Sequence, residues 1–436
     1  MLTRHLLFAL FFVLLFSSCG NDGKKPVPEF IALNTQGLQK ELDSVFVRNE
    51  LMGMSVALID EGKISWQYTH GLADEGRNIP ITENTIYRVA SISKSITTSA
   101  LLQLWEAGKI DLDVDVSEYL GWKLVNPKYP DIPITLMQLL SHQSSIRDGE
   151  GYGRFSKNMI VKELNIKELF SISGEYFTDD IFAAHEPGEY FSYTNCTWGI
   201  IVSVIEKISE QRFDDYCREH IFKPLGMKAD FNASKIDKID SLAVLYRYND
   251  DAWVAQADNY KGIVPESRAY EGYELGQNGL LFGPQGSLRS SANDLATFSL
   301  MLMNDGYYNK TQILKKETVS LMLESHWMYN ADNGNTWENF FLSYGLGIHI
   351  LSNTEGSDII FPNWKMVGHP GIAYGLLSDM YFDKERRSGI VFITNGSKKS
   401  FEYGQHTSFY QVEEDVFKVI HPFLKEIEDK RQLKEE

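Results

Sequence analysis

Ser91-Ile92-Ser93-Lys94 sets a hydroxyl and an amine three residues apart, a spacing that places both on one face of a helix. A serine hydroxyl is a weak nucleophile until a neighbouring base removes its proton. A lysine serves as that base where burial or nearby positive charge lowers its pKa. A helix opening at Ser91 would add a partial positive charge and a free backbone N–H for an oxyanion. The chemistry offered is attack on a carbonyl carbon through a covalent acyl-serine. A chain of this size should hold about two Ser-x-x-Lys tetrads by typical residue frequencies, so the tetrad is a weak signal by itself. This sequence has one, where the strand-like Ile86–Ala90 runs into a helical pattern.

Two further groups follow in the chain. Tyr193-Thr194-Asn195 offers a phenol to relay a proton to a leaving group and an amide to hold both the lysine and a substrate carbonyl. Tyr-x-Asn recurs at Tyr307-Tyr308-Asn309 in a polar turn, where no function is expected. His369-Pro370-Gly371, inside Met366–Tyr374, precedes a strand-like run, and its glycine permits the close backbone approach that an oxyanion site requires. No metal-binding cluster or nucleotide loop competes with this reading, and no cofactor is implied.

In order and spacing these groups resemble the serine β-lactamase and penicillin-binding-protein superfamily, closest to its class C β-lactamase-like branch of esterases and D-aminopeptidases. The resemblance runs from about Leu51 to Asn395 and includes Ile134–Ser144 and Gly286–Leu295. It implies Ser91 as acylated nucleophile, Lys94 as its base and Tyr193 as partner in proton transfer. It also implies substrate contacts from Asn195, His369, Gly371 and Ile372, with the N–H groups of Ser91 and Ile372 forming the oxyanion hole. His142 and Asp294 are read as structural. One departure stands out: the β-lactamases usually carry Lys-Thr-Gly where this chain has His-Pro-Gly. Pro370 has neither hydroxyl nor N–H, and an ordinary histidine is only partly charged at neutral pH. A deacylating glutamate has no positional match, so water activation falls to Tyr193 and Lys94. The reading is a serine hydrolase acting on an ester or amide of a small molecule or peptide, including D-amino-acid peptides or β-lactams. An acyltransferase and a non-catalytic receptor for cell-wall fragments are the alternatives.

These groups need a frame. Met54–Ile59 and Ile64–Tyr68 flank a turn at Gly62 and read as a hairpin. Tyr344–Ile350, Leu376–Phe382 and Gly389–Thr394 read as later strands. Helices are expected at Ser91–Ala107, after the Thr135/Gln138 capping box, at Thr197–Lys207, after a Ser291/Asp294 cap, and at Gln411–Ile420, limited by Pro422. The expected fold is α/β (α+β): an antiparallel sheet flanked by helices and built from both chain ends (35–119 and 280–430), with a mostly helical lobe (120–279) inserted.

Arg4 and the apolar run Leu6–Phe16 ahead of Ser17-Ser18-Cys19 read as a signal peptide over residues 1–18. Leu15–Cys19 resembles a bacterial lipobox, which implies a lipidated Cys19, a tether over 19–34, and an exported protein anchored to a bacterial membrane on its periplasmic or cell-surface side. Cys196 and Cys217 are expected as buried free thiols. With 42 Lys plus Arg against 59 Asp plus Glu the net charge is −17, which leaves no basic surface for a phosphate backbone and excludes nucleic acid as a natural partner.

Overall fold

The computed structural model describes residues 35–399 and 401–435, so the signal peptide, Cys19 and the tether lie outside the described residues. Gly53–Asp60 and Lys63–Asp74 form the expected hairpin, and Glu61 and Gly62 both take positive φ at its turn. That pair of left-handed residues matches the twist of the flanking strands. On its other edge Gly53–Asp60 pairs antiparallel with Ser388–Thr394, Met54 opposite Thr394. Thus the two ends of the chain close one sheet.

That sheet has nine antiparallel strands. From one edge it runs Trp327–Met328, Ser343–Tyr344, His349–Ile350, Met366–Ala373, Leu376–Asp383, Ser388–Thr394, Gly53–Asp60, Lys63–Asp74 and Ile79–Pro80. The central strands are buried at every position, as a sheet covered on both faces demands. Their alternation sorts the side chains. Val56, Leu58, Ile390 and Phe392 pack with helices Thr35–Arg48 and Gln411–Glu435. Ala57, Ile59, Val391 and Ile393 face Ala292–Met303, Ser93–Glu106 and the helical region beyond. The second cluster is continuous from the sheet to Phe155 and Phe213, so sheet and helical region share one core.

Several boundaries differ from expectation. The last helix runs through Pro422 to Glu435. Proline inside a helix costs about 3 kcal/mol, but Phe423, Leu424 and Ile427 continue the buried stripe of Val412, Val416 and Ile420. At about 1.5–3 kcal/mol for each buried apolar side chain, the stripe outweighs the proline. Tyr344–Ile350 is two short strands with a reversal at 345–348, and a side chain at Gly347 would strike Thr98 and Trp198. Inside the span expected to be helical, Leu245–Asn249 and Ala252–Ala257 form a hairpin. Both the Thr135/Gln138 capping box and the Ser291 cap are present as expected. Cys196 and Cys217 are buried and unpaired.

Candidate active site

Ser91 lies in a 3₁₀ turn, Ala90–Ile92, that leads into the α-helix Ser93–Glu106; the regular helix begins two residues later than expected. Ala90 holds φ +47, a left-handed conformation that a residue with a Cβ keeps only where its surroundings enforce it. Here they do. Ser93 Oγ donates to Ala90 O at 2.6 Å and accepts from Leu288 N at 3.0 Å, while Val89 N donates to Leu288 O. The turn presents Ser91, partly exposed, at the edge of the core.

Lys94 is fully buried beneath it. Its Nζ makes three contacts: Ser91 Oγ at 3.0 Å, Asn195 Oδ1 at 2.9 Å and Gln285 O at 2.9 Å. Among the described residues no carboxylate pairs directly with this amine. Burial therefore dominates, pulling the Lys94 pKa down to about 7 against a weaker upward pull from Asp148. Two of the three contacts are obligate acceptors, an amide oxygen and a backbone carbonyl. In the neutral amine they take the two N–H bonds and leave the lone pair facing Ser91 Oγ.

Tyr193 stands over the same amine, its ring centre 4.8 Å from Nζ and its hydroxyl hydrogen-bonded to Ser91. Burial raises its pKa well above the ordinary phenol value, against a downward pull from Ser91. The phenol thus stays protonated through the neutral range. Aromatic and imidazole rings fix its position: Phe341 stacks at 5.0 Å, Trp337 meets it edge-on at 4.9 Å and His142 lies 4.5 Å away. His142 Nδ1 accepts from Thr194 N at 3.2 Å, so the neutral ring carries its proton on Nε2. Burial and the Lys94 charge hold its pKa far below the usual histidine value. Asp294 lies at the start of Ala292–Met303, where its N–H donates to Ser291 Oγ.

The third group departs furthest from expectation. Met366–Ala373 is itself a strand, paired along its whole length with Leu376–Asp383, where the sequence pointed to a box ahead of a strand. Gly371 is required there. A Cβ at that position would lie 2.4 Å from Val89 O and 2.3 Å from Ser378 Oγ, so the strand approaches the Ser91 turn at a distance only glycine allows. Ile372, 43% exposed, follows on the same strand, which packs against the Ser91 turn. His369 does not face substrate as expected. Its ring is wholly buried; Nδ1 lies 2.6 Å from Pro370 O and Nε2 2.9 Å from Tyr344 Oη. A carbonyl only accepts, so the proton sits on Nδ1 and Nε2 accepts from the tyrosine. Burial and Lys94 hold the pKa well below the ordinary value. The third box therefore presents no cation.

Asn195 Oδ1 accepts from Lys94, as expected, and its Nδ2, expected to reach a substrate carbonyl, donates one bond to Asp148 Oδ2 at 2.8 Å. Asp148 was invisible in the sequence. Its carboxylate also accepts from Asn195 N at 2.9 Å and Cys196 N at 2.8 Å, but those partners lie 47 and 48 residues further on. Trp337 and the Gln285 carbonyl were missed as well. Among the described residues no group of His, Cys, Asp and Glu is arranged to hold a metal, and no helix is long and apolar enough to cross a membrane.

The Beta-lactamase family profile matches residues 38–410. Penicillin-binding protein 4* of Bacillus subtilis (strain 168) is 23% identical over 383 residues, 85% of this chain and 74% of its own. Among solved structures, an octameric penicillin-binding protein homologue from Pyrococcus abyssi aligns with a TM-score of 0.66 at 25% identity, covering 84% of this chain and 74% of that one. The D-amino acid amidase of Ochrobactrum anthropi SV3, in complex with L-phenylalanine, aligns with a TM-score of 0.62 at 22% identity, covering 91% and 99%. With a profile spanning most of the chain over a sheet of this topology, the protein belongs to the β-lactamase family and is a serine hydrolase of the β-lactamase and penicillin-binding-protein superfamily.

Proposed function

We propose that this protein hydrolyses an ester or amide through an acyl-enzyme on Ser91. The carrying observation is the buried Lys94 amine, 3.0 Å from Ser91 Oγ, with two fixed acceptors on its other side. As Oγ attacks the carbonyl carbon, its proton passes to the Lys94 lone pair and the carbonyl oxygen becomes an oxyanion held by the N–H groups of Ser91 and Ile372. Tyr193, protonated and hydrogen-bonded to Ser91, passes its proton to the departing alkoxide or amine and regains one from Lys94. The C–O or C–N bond breaks, leaving the acyl-serine. Water then loses a proton to the same pair and attacks the ester, releasing the acid and restoring Ser91.

The buried, neutral His369 supports substrates without a carboxylate beside the reacting bond. Likeness to the D-amino acid amidase supports amino-acid amides and esters as the first class to try. The same acyl-serine reacts with an alcohol or amine in place of water, so acyl transfer stands as the variant of this reading. A non-catalytic receptor finds no support in a site whose serine, amine and phenol are all in mutual contact. We further propose that Cys19 carries a lipid that tethers the enzyme to a bacterial membrane on its periplasmic or cell-surface side; full-length protein should then sediment with membranes and Cys19→Ala should not.

Intact-mass analysis after a fluorophosphonate probe tests the central reading. Wild type should gain one adduct and Ser91→Ala none, with the fold retained, since Ser91 lies partly exposed in its turn and neither the turn nor the helix after it has a side-chain cap to lose. Labelling of the Ser91→Ala protein would place the nucleophile elsewhere. A panel of p-nitrophenyl esters, D-amino-acid amides and nitrocefin, run with and without an added alcohol, then gives the substrate class and separates hydrolysis from transfer.

A further inference from the structure

Asp148 is an exposed residue of the otherwise largely buried loop between Leu136–Leu140 and the helix Glu150–Asn158. Its two oxygens accept from three nitrogens of one short segment: Asn195 N, Asn195 Nδ2 and Cys196 N, all at 2.8–3.0 Å. Among the described residues no cation ion-pairs with it. We propose that Asp148 is a positioning residue of the active site, holding the Asn195 amide in the single orientation that points its oxygen at Lys94. This rests on the acyl-enzyme reading above.

Donors and acceptors decide the orientation. An amide presents NH2 at one end and oxygen at the other, and it can turn over. A carboxylate has acceptors only, so it fixes the NH2 end toward itself and the oxygen toward Lys94. With Oδ1 and Gln285 O both accepting, the neutral Lys94 amine has a lone pair left for Ser91 alone. Turned over, Asn195 would offer Lys94 an N–H, and the lone pair would be drawn away from the nucleophile. A neutral side chain at position 148 removes that discrimination.

The carboxylate has a second, electrostatic effect. The charged or titratable groups facing Lys94 come from four places: Asp148 from its loop, Tyr193 ahead of the helix Thr197–Ser209, His142 after Leu136–Leu140, and His369 on the strand Met366–Ala373. Both histidines are held neutral and the phenol stays protonated. Asp148 is thus the one carboxylate among them, and it favours the ammonium form. Without it, Lys94 should lose its proton at lower pH.

The test compares wild type with Asp148→Asn, Asp148→Ala and Asp148→Glu, using an uncharged p-nitrophenyl ester from pH 5 to 9. Asp148→Asn should lower kcat about tenfold or more with KM within about threefold, as misplacement of a catalytic group does. The acid limb of its kcat/KM profile should move down by about half a pH unit or more. Asp148→Ala should show the same movement with a larger loss, and Asp148→Glu should recover the limb and part of kcat. In Asp148→Asn the new amide oxygen can still accept from the Cys196 N–H, which keeps the helix start, and circular dichroism checks it. An unmoved limb in both neutral variants, with wild-type kcat, overturns the proposal while fluorophosphonate labelling of wild type still upholds the acyl-enzyme. Wild type that takes no label overturns both.

Discussion

The two faces of the central sheet each bury ionisable groups without a counter-charge, and the outcomes differ in kind. On one face Lys94 has three neutral oxygens around its amine, and burial lowers its pKa to about 7. On the other, Asp379 of the strand Leu376–Asp383 faces Glu413 of the last helix, both buried, and burial raises both carboxyls, Glu413 to about 7. A buried group without a partner shifts toward its neutral form. On the proposed mechanism the neutral amine is a base beside a nucleophile; the neutral carboxyl is a hydrogen-bond donor between a sheet and a helix. A third site shows the alternative: Arg289 and Asp258, also buried, pair at 2.8 Å and both keep their charge. What separates function from scaffold here is which neutral species burial creates and what it touches.

The largest effect that breaks the comparison is loss of the neutral amine. Lys94→Ala should lower kcat/KM by about 10²–10⁴, the usual contribution of a general base, measured with an activated ester. In wild type the base must be unprotonated, so kcat/KM should rise with pH up to about 7 and then level. A rate independent of pH between 5 and 9 would remove Lys94 from the proton path. Next comes Gly371→Ala. The added Cβ would push the strand away from Val89 O and Ser378 Oγ, displacing the Ile372 N–H; loss of one oxyanion donor costs about 10²–10³ in kcat. Binding of a non-reactive product should change far less, and a matching loss of binding would point to general misfolding.

A smaller effect concerns the neutral histidine. Nitrocefin carries a carboxylate beside its reacting amide, and the His369 ring is buried, neutral and committed to Tyr344 and Pro370 O. A missing charge-assisted hydrogen bond is worth about 1.5–3 kcal/mol, roughly ten- to a hundredfold. Uncharged esters should therefore exceed nitrocefin in kcat/KM by about that factor. Arg88 is the cation to watch, since it lies 4.9 Å from the Tyr374 ring, but its guanidinium is engaged by Gly286 O and Ser287 Oγ. Nitrocefin as the best substrate of the panel would show that a cation reaches the cleft.

Much of this was written locally enough to read. Ser91 and Lys94 lie one helical turn apart, the Thr135 and Ser291 caps are complete within four residues, and Gly62 marks its own turn. The strand Met366–Ala373 was not legible because Gly368, Pro370 and Gly371 are poor strand formers. Past Gly368 it has a strand neighbour on one side only, where a proline fits, and its glycines answer to contacts with Val89 and Met380 from elsewhere in the chain. Asp148 was hidden for the same reason, since its partners are 47 and 48 residues away, and the burial of His369 depends in part on Tyr344, 25 residues earlier. Pro422 misled because local propensity weighed against a stripe of burial that only the folded helix reveals.

The smallest predicted effect concerns the carboxyl pair, and its sign is opposite to that of an ordinary salt-bridged acid. Both folded pKa values stand above the unfolded values of about 4, so between pH 4 and about 7 the folded state holds protons that the unfolded state has released. Stability from this pair is complete below about pH 4 and is lost as pH rises toward and through 7. Tyr410 N, donating to Glu413 Oε2 at 2.7 Å, softens the loss by favouring that carboxylate. Asp379→Asn removes one titration and leaves an amide that donates to the Glu413 carboxylate. The variant should lose less stability than wild type between pH 5 and pH 8.5, a difference of several degrees in Tm at most, read by thermal unfolding at the two pH values. Catalysis should not follow it. Asp379 points to the helix Gln411–Glu435 on the face away from Ser91, so the acid limb near pH 7 should stay in place in Asp379→Asn. Should that limb move, the two faces are coupled through the strand, and the pair on the far side belongs to the active site after all.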